Sequence, residues 1–260
     1  MIEIFTELFD AIPVWLLLSV VAIIAGFIDA IAGGGGLLTV PTLLSTGMPV
    51  HMVLGTNKLS STFGTAIASY TFYKNKLFSP ILWAHCALST FIGAGVGAVA
   101  VYFVSGDFLE KILPLLIILT AVYTLVKKPP CEKTSQPIGH PSKVKQWLQG
   151  TIIGFYDGFA GPGTGAFWTI SGQILYKVNI LISSGVARSM NFVSNLTALI
   201  TFIILGQVNY TIGISMGFCL MLGSVLGAKT AIHFGSKFIR PVFITVVLCI
   251  SVKLAWSAWL

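Results

Sequence analysis

Charge is scarce in this chain. Lys, Arg, Asp and Glu make up 9% of its 260 residues, against about 25% in a soluble globular domain. That shortage excludes an ordinary soluble fold. Cysteine is also sparse, and Cys86, Cys131, Cys219 and Cys249 form no C-x-x-C pair. Three of them fall in apolar runs and read as small fillers, so neither a disulfide frame nor a metal site is expected. His51, His85, His140 and His233 have no metal-ligand spacing. No G-x-x-x-x-G-K-[ST] occurs, which removes the phosphate-loop nucleotidases. No nucleophile sits near a base in a recognisable pattern, so neither an enzyme nor a cofactor is expected. The first ten residues carry Glu3, Glu7 and Asp10 instead of a basic stretch, so the first apolar run is expected to stay as a helix and not to be cleaved.

Apolar length is what the chain has in abundance. Hydrophobic residues make up 55% of it. They recur in runs at 14–28, 81–104, 108–126, 196–205, 212–228 and 238–258, several approaching the ~20 residues of a bilayer-spanning helix. The reading is an all-α polytopic membrane protein with its lipid bilayer as solvent. The net charge of +7 does not point to nucleic acid. The basic residues cluster in links between apolar runs, as they do in cytoplasmic loops.

One segment breaks the pattern. Residues 127–147, "KKPPCEKTSQPIGHPSKVKQW", hold five Lys and four Pro and read as a solvated linker. It separates a first repeat, 1–126, from a second, 148–260. "GFIDAIAGGG" at 26–35 aligns with "GFYDGFAGPG" at 154–163, setting Asp29 opposite Asp157 and Gly33 opposite Gly161. A looser match sets Asn57 opposite Asn191 and Ser60 opposite Ser194. Recurrence at similar spacing points to an internal duplication.

Charge also suggests a path. The acidic N-terminal flank and the link 105–111 suit the outside. "KNK" at 74–76, the linker, and 233–240 with Lys237 and Arg240 suit the inside. Passes are expected at 14–32, 37–46, 57–73, 81–104 and 108–126, then at 148–160, 165–176, 188–205, 211–232 and 238–259. Five per half is odd, so the halves would be inverted, with both termini outside. The short pieces, ~15 Å long, could be half-helices, which makes eight to ten transmembrane segments.

Gly33, Gly34, Gly35 and Gly36 should break a helix, and Gly161, Gly163, Thr164 and Gly165 follow Pro162 in a matching break. Broken backbone at membrane depth survives only inside protein or beside a watery cavity. There the freed N–H groups and the positive ends of half-helices suit an anion. Asp29 and Asp157 precede the breaks. A mid-membrane charge costs at least ~2.5 kcal/mol on insertion scales, so both acids should face inward. Each either shapes its break, by capping or pairing with a base, or carries a proton. Asn57, Ser60, Ser61, Gly64 and Thr65 form one helical face, which Asn191, Ser194 and Asn195 repeat. These are either interhelical hydrogen bonders or donors to an oxyanion. Lys58 and Arg188 flank the stripes. Each supplies charge to an anion or snorkels to the headgroups, and snorkelling is the preferred reading for Lys58. Lys229 and Lys253 are expected to snorkel. Gly93, Gly95 and Gly97 are expected to be packing glycines.

Together these motifs resemble a known family. "DAIAGGGGLLTVPTLLSTGMPVHMVLGTNKLSSTFGT" resembles the first repeat of the sulfite exporter TauE/SafE family, also called the 4-toluene sulfonate uptake permease family. "GFYDGFAGPGTGAF" and "ARSMNFVSNLTAL" look like its second repeat. The resemblance implies a bacterial or archaeal cytoplasmic-membrane carrier of small sulfur-containing anions such as sulfite, sulfonates or other organosulfur compounds, in either direction. The alternatives are a passive anion channel and a proton- or cation-coupled carrier using Asp29 and Asp157. A homodimer is the default expectation for its assembly.

Overall fold

The computed structural model describes residues 13–126 and 141–235. The expected helix at 238–259 lies outside the described residues, as do Lys253 and most of the linker. Among the described residues there are helices and no strand. In chain order they are α1 (Val14–Ala32), α2 (Gly36–Leu44), α3 (Val50–Lys74), α4 (Ala84–Tyr102), α5 (Gly106–Val126), α6 (Lys143–Phe159), α7 (Thr164–Tyr176), α8 (Ile180–Ile204) and α9 (Tyr210–Phe234).

Three helices begin five or more residues earlier than expected, two of them for a local reason. α3 starts behind Pro49, whose fixed φ prepares a helix start. α8 starts at Ile180 because the Asn179 side chain accepts the Ile182 N–H at 2.8 Å. α6 starts at Lys143, inside the stretch expected as linker. α2 and α7 are short, 9 and 13 residues. They rise about 14 and 20 Å, half to two-thirds of a ~30 Å bilayer core.

α1, α4, α8 and α9 are long and apolar enough to cross a membrane. Their outer faces are greasy: Val20 and Ile24 on α1, Phe91 and Val96 on α4, and Leu222 and Leu226 on α9 are all exposed. Apolar surface on that scale, on helices long enough to span, suits contact with lipid. The interior instead holds polar side chains, among them Lys58, Asp157, Arg188, Asn191 and Asn195.

Helix directions follow from which residues meet. Gly93 and Gly97 of α4 lie against Thr151 and Phe155 of α6, rising together, so the two helices are parallel. Leu59 and Phe63 of α3 meet Gly213 and Gly217 of α9 in the same sense. α3 and α8 run oppositely: Gly55 is beside Phe202, Lys58 beside Asn195, and Ser69 beside Ser189. The packing partners also come in matched pairs. α1 packs on α9 as α6 packs on α4, and α3 packs on α9 as α8 packs on α4.

Small residues make the tight seams. A Cβ on Gly97 would stand 2.2 Å from the Phe155 carbonyl oxygen, whereas one on Gly95 would meet only the Thr197 methyl at 3.6 Å. Gly97→Ala should therefore cost about 1–3 kcal/mol through overpacking. Gly95→Ala should be neutral or slightly stabilising, since Ala exceeds Gly in helix propensity by about 1 kcal/mol. Thermal denaturation of both variants in detergent, followed by size-exclusion chromatography, checks the contrast.

Candidate functional site

The two breaks are short and face each other. α1 ends in the left-handed region at Gly33, φ +82°, whose N–H donates to the Asp29 carbonyl at 2.9 Å. Gly36 is already the first residue of α2, so the first break spans residues 33–35. In the second break Gly161 and Gly163 take φ +89° and +77°, conformations that favour glycine. The breaks touch backbone to backbone: a Cβ on Gly33 would lie 2.3 Å from the Gly165 carbonyl carbon. The N–H groups of Gly163 and Gly165 donate to no carbonyl among the described residues.

A small polar cavity lies at this crossing. It encloses about 20 Å³, room for little more than one water molecule. Gly33 and Gly36 line it from the first break, and Gly161, Gly163, Thr164 and Gly165 from the second. Asn57, Lys58 and Ser61 come from α3, and Asn191 and Asn195 from α8; Asp29 and Asp157 complete it. Gly34, Gly35, Ser60 and Arg188 are not on its surface. Ser60 is fully buried and donates to the Asn57 carbonyl of its own helix at 3.0 Å. Its neighbour Ser61 takes the lining position. Arg188 stands behind the second break.

Lys58 does not snorkel. It is 1% exposed and lies 2.6 Å from Asp157 Oδ1 and 3.1 Å from Asn195 Oδ1. Snorkelling needs a path to the headgroups, and burial in the α3–α6–α8 contact closes it. Asp157 is well served: Lys58 donates to Oδ1, the Thr164 hydroxyl lies 3.2 Å from the same oxygen, and the Ser194 hydroxyl donates to Oδ2. Lys229, by contrast, is exposed on α9.

Arg188, also fully buried, pairs with the other acid. Its Nη1 is 3.5 Å from Asp29 Oδ2 and donates to the Asp29 carbonyl. Asp29 Oδ1 accepts the Gly35 N–H at 3.1 Å, which ties down the break that follows it. The arrangement is reciprocal. A cation of the first half holds the acid of the second, and a cation of the second half holds the acid of the first. Each cation is the ninth residue of a 25-residue helix, Lys58 in α3 and Arg188 in α8.

Two further residues shape the site. Thr39 Oγ1 donates to Asn57 Oδ1 at 2.6 Å, leaving the Asn57 amide N–H₂ for another acceptor. Tyr156 O–H donates to the Pro162 carbonyl at 2.8 Å and fixes the second break. Neither has a sequence signal, because a Thr or Tyr in an apolar helix is unremarkable until its partner is known. No group of three or more His, Cys, Asp or Glu able to hold a metal occurs among the described residues.

The family model described as sulfite exporter TauE/SafE matches residues 18–254. The chain is 36% identical to a probable membrane transporter protein, YfcA, of Escherichia coli strain K12, over 98% of this chain and 95% of that protein. It is 36% identical to a probable membrane transporter protein, ORF9, of a Sinorhizobium species, over 91% and 90% of the two chains. A probable membrane transporter protein of Haemophilus influenzae is 34% identical, over 93% and 94%. No solved structure matches the chain.

Proposed function

This chain belongs to the sulfite exporter TauE/SafE family of membrane transporters, and we propose that it is a secondary carrier of small sulfur-containing anions in the bacterial cytoplasmic membrane. One observation carries the reading. Two glycine breaks meet at a buried cavity that also presents a lysine and three asparagines. Glycine N–H groups, asparagine amides and an ammonium are all donors, and together they suit the oxygens of a sulfite or sulfonate.

The halves, 1–126 and 148–260, act as inverted repeats in this reading. The antiparallel run of α3 against α8 and the reciprocal ion pairs support it. The cavity's small volume supports alternating access, since an oxyanion enters only if the breaks move apart. Rocking of the two repeats would do that from one side at a time.

The two acids then differ in role. Asp157 neutralises the lysine that an anion would need, so protonating Asp157 frees Lys58 for substrate. Asp29 pairs with Arg188, which is off the cavity wall, and holds the Gly35 N–H, a task an amide oxygen also performs. Purified protein in proteoliposomes is assayed for uptake of sulfite, thiosulfate, sulfoacetate and an aryl sulfonate, with and without a pH gradient. At least one of these should accumulate with saturation and counter-transport, which a passive channel would not show. Asp157→Asn should abolish any response to the gradient, and Asp29→Asn should keep it. If Asp29→Asn, Asp157→Asn and Asn191→Ala all transport like the parent, the site is elsewhere.

A further inference from the structure

Seven buried side-chain nitrogen or oxygen atoms lack a hydrogen-bond partner among the described residues, and all seven lie between residues 149 and 191. None is in the first half. On α8 they are Ser184 Oγ, Arg188 Nε and Asn191 Oδ1, spaced i, i+4, i+7 on one helical face. On α7, Gln173 Nε2 and Tyr176 O–H share a face with Thr169 by the same spacing. Gln173, Ser184, Arg188 and Asn191 are each at most 5% exposed.

The two rows meet at Thr169 and Arg188. Ser183 Oγ donates to the Thr169 carbonyl at 2.7 Å, and Arg188 Nη2 is 3.5 Å from Thr169 Oγ1. α7 and α8 are joined by a short link and run oppositely, so Gln173 and Ser184, each about one turn farther from the cavity, lie at one level. A buried polar atom with no partner is costly, most of all at membrane depth. A whole row of them along one seam finds its partners when the seam opens and water enters.

The corresponding seam of the first half is dry. Val40 and Leu43 of α2 are fully buried, as is Val53 of α3. The Thr39 and Thr42 hydroxyls each have an acceptor, at 2.6 and 2.7 Å. Charge marks the outer end of the wet seam. Lys145 Nζ donates to the Leu175 carbonyl at 3.2 Å, and Lys177 is exposed at the end of α7.

We infer that the central cavity opens to water along the α7–α8 seam, at the end of the bundle marked by Lys145 and Lys177, and that anions use this path. The inference rests on the central cavity being the anion site. A carrier built on a duplicated chain would then have one half lined to take up water as it opens and the other sealed by aliphatic side chains. The lysines at the mouth would raise the local anion concentration.

The test replaces the four native cysteines with alanine and adds Ser184→Cys, Gln173→Cys or Leu43→Cys singly. Membrane-impermeant thiosulfonates, one anionic and one cationic, are applied to inside-out and right-side-out vesicles. Ser184→Cys and Gln173→Cys should be modified from the face bearing Lys145, and Leu43→Cys from neither. The anionic reagent should react about tenfold faster than the cationic one, the low end of steering by a charged cleft. If Ser184→Cys does not fold, Gln173→Cys carries the test. Failure of both to label in folded protein that labels fully once denatured overturns the path. Labelling needs no substrate. Fast labelling in a protein that carries no sulfonate would therefore keep the wet seam and overturn the anion site.

Discussion

Lys58→Met loses anion uptake and thermal stability together, and adding Asp157→Asn restores the stability but not the uptake. The expectation follows from what each change leaves behind. Methionine fits the buried stem of Lys58 but leaves the Asp157 carboxylate without its counter-charge and only 3% exposed. Breaking one side of a buried ion pair costs about 3–5 kcal/mol in proteins generally. The hydroxyls of Ser194 and Thr164 still serve Asp157, so the lower end of that range applies. Removing both charges takes away the uncompensated ion, and such double replacements are often close to neutral. A carrier that needed the pair only to hold its shape would work again. One that needs the ammonium would not, because Lys58 is the one cation on the cavity wall among the described residues. A charged hydrogen bond is worth about 1.5–3 kcal/mol, so uptake should fall by roughly tenfold to a hundredfold or more. Thermal unfolding in detergent and uptake into proteoliposomes read the two effects separately. Parental uptake by the double variant would show that the pair is only a strut.

The breaks were legible because they recur. "GFIDAIAGGG" and "GFYDGFAGPG" share an acid and glycines at one spacing, and the structure puts the two breaks they lead into in contact through Gly33 and Gly165. The role of Lys58 was hidden. Its partner Asp157 is 99 residues away, and no local pattern reports a pairing at that range. The sequence match between the two halves gives no help either. Matching Asn57 to Asn191 sets Lys58 opposite Phe192 and Arg188 opposite Leu54, so neither cation has a charged counterpart. Reciprocity appears only in three dimensions. Which of Ser60 and Ser61 meets the cavity was hidden for a different reason. Adjacent helical positions are about 100° apart, and a stripe read from spacing is broader than the arc that meets a cavity. Ser60 turns to its own helix and Ser61 to the site. The early start of α3 was masked by Gly47, Pro49 and Gly55, which read as loop residues although Pro49 is where the helix begins.

Gly33→Ala should be the most damaging substitution of a single hydrogen by a methyl group, and two companions show why. Gly47 has φ +75° and open space around it, so Gly47→Ala adds backbone strain alone, about 1–2 kcal/mol for a left-handed L-residue. Gly165 is helical, so Gly165→Ala adds contact alone: its Cβ would stand 2.5 Å from Gly33 Cα and 2.9 Å from both Arg188 Nη1 and Asn191 Nδ2. Gly33→Ala adds both, with φ +82° and a Cβ within 2.6 Å of three backbone atoms of the opposite break. Backbone cannot change rotamer to relieve such a clash, so the two half-helices must separate. Overpacking of about 1–3 kcal/mol then joins the strain, and with each 1.36 kcal/mol worth tenfold, uptake should fall by a hundredfold or more. Gly47→Ala should stay within about tenfold of the parent, and its transport should recover on cooling if strain merely lowers the folded fraction. Gly165→Ala separates the explanations. If the crossing of the breaks is where the anion is gripped, this variant loses uptake while its unfolding temperature falls less than that of Gly33→Ala. If it transports at the parental rate, close contact between the breaks is dispensable, and the donors around Lys58 would have to bind the anion without them.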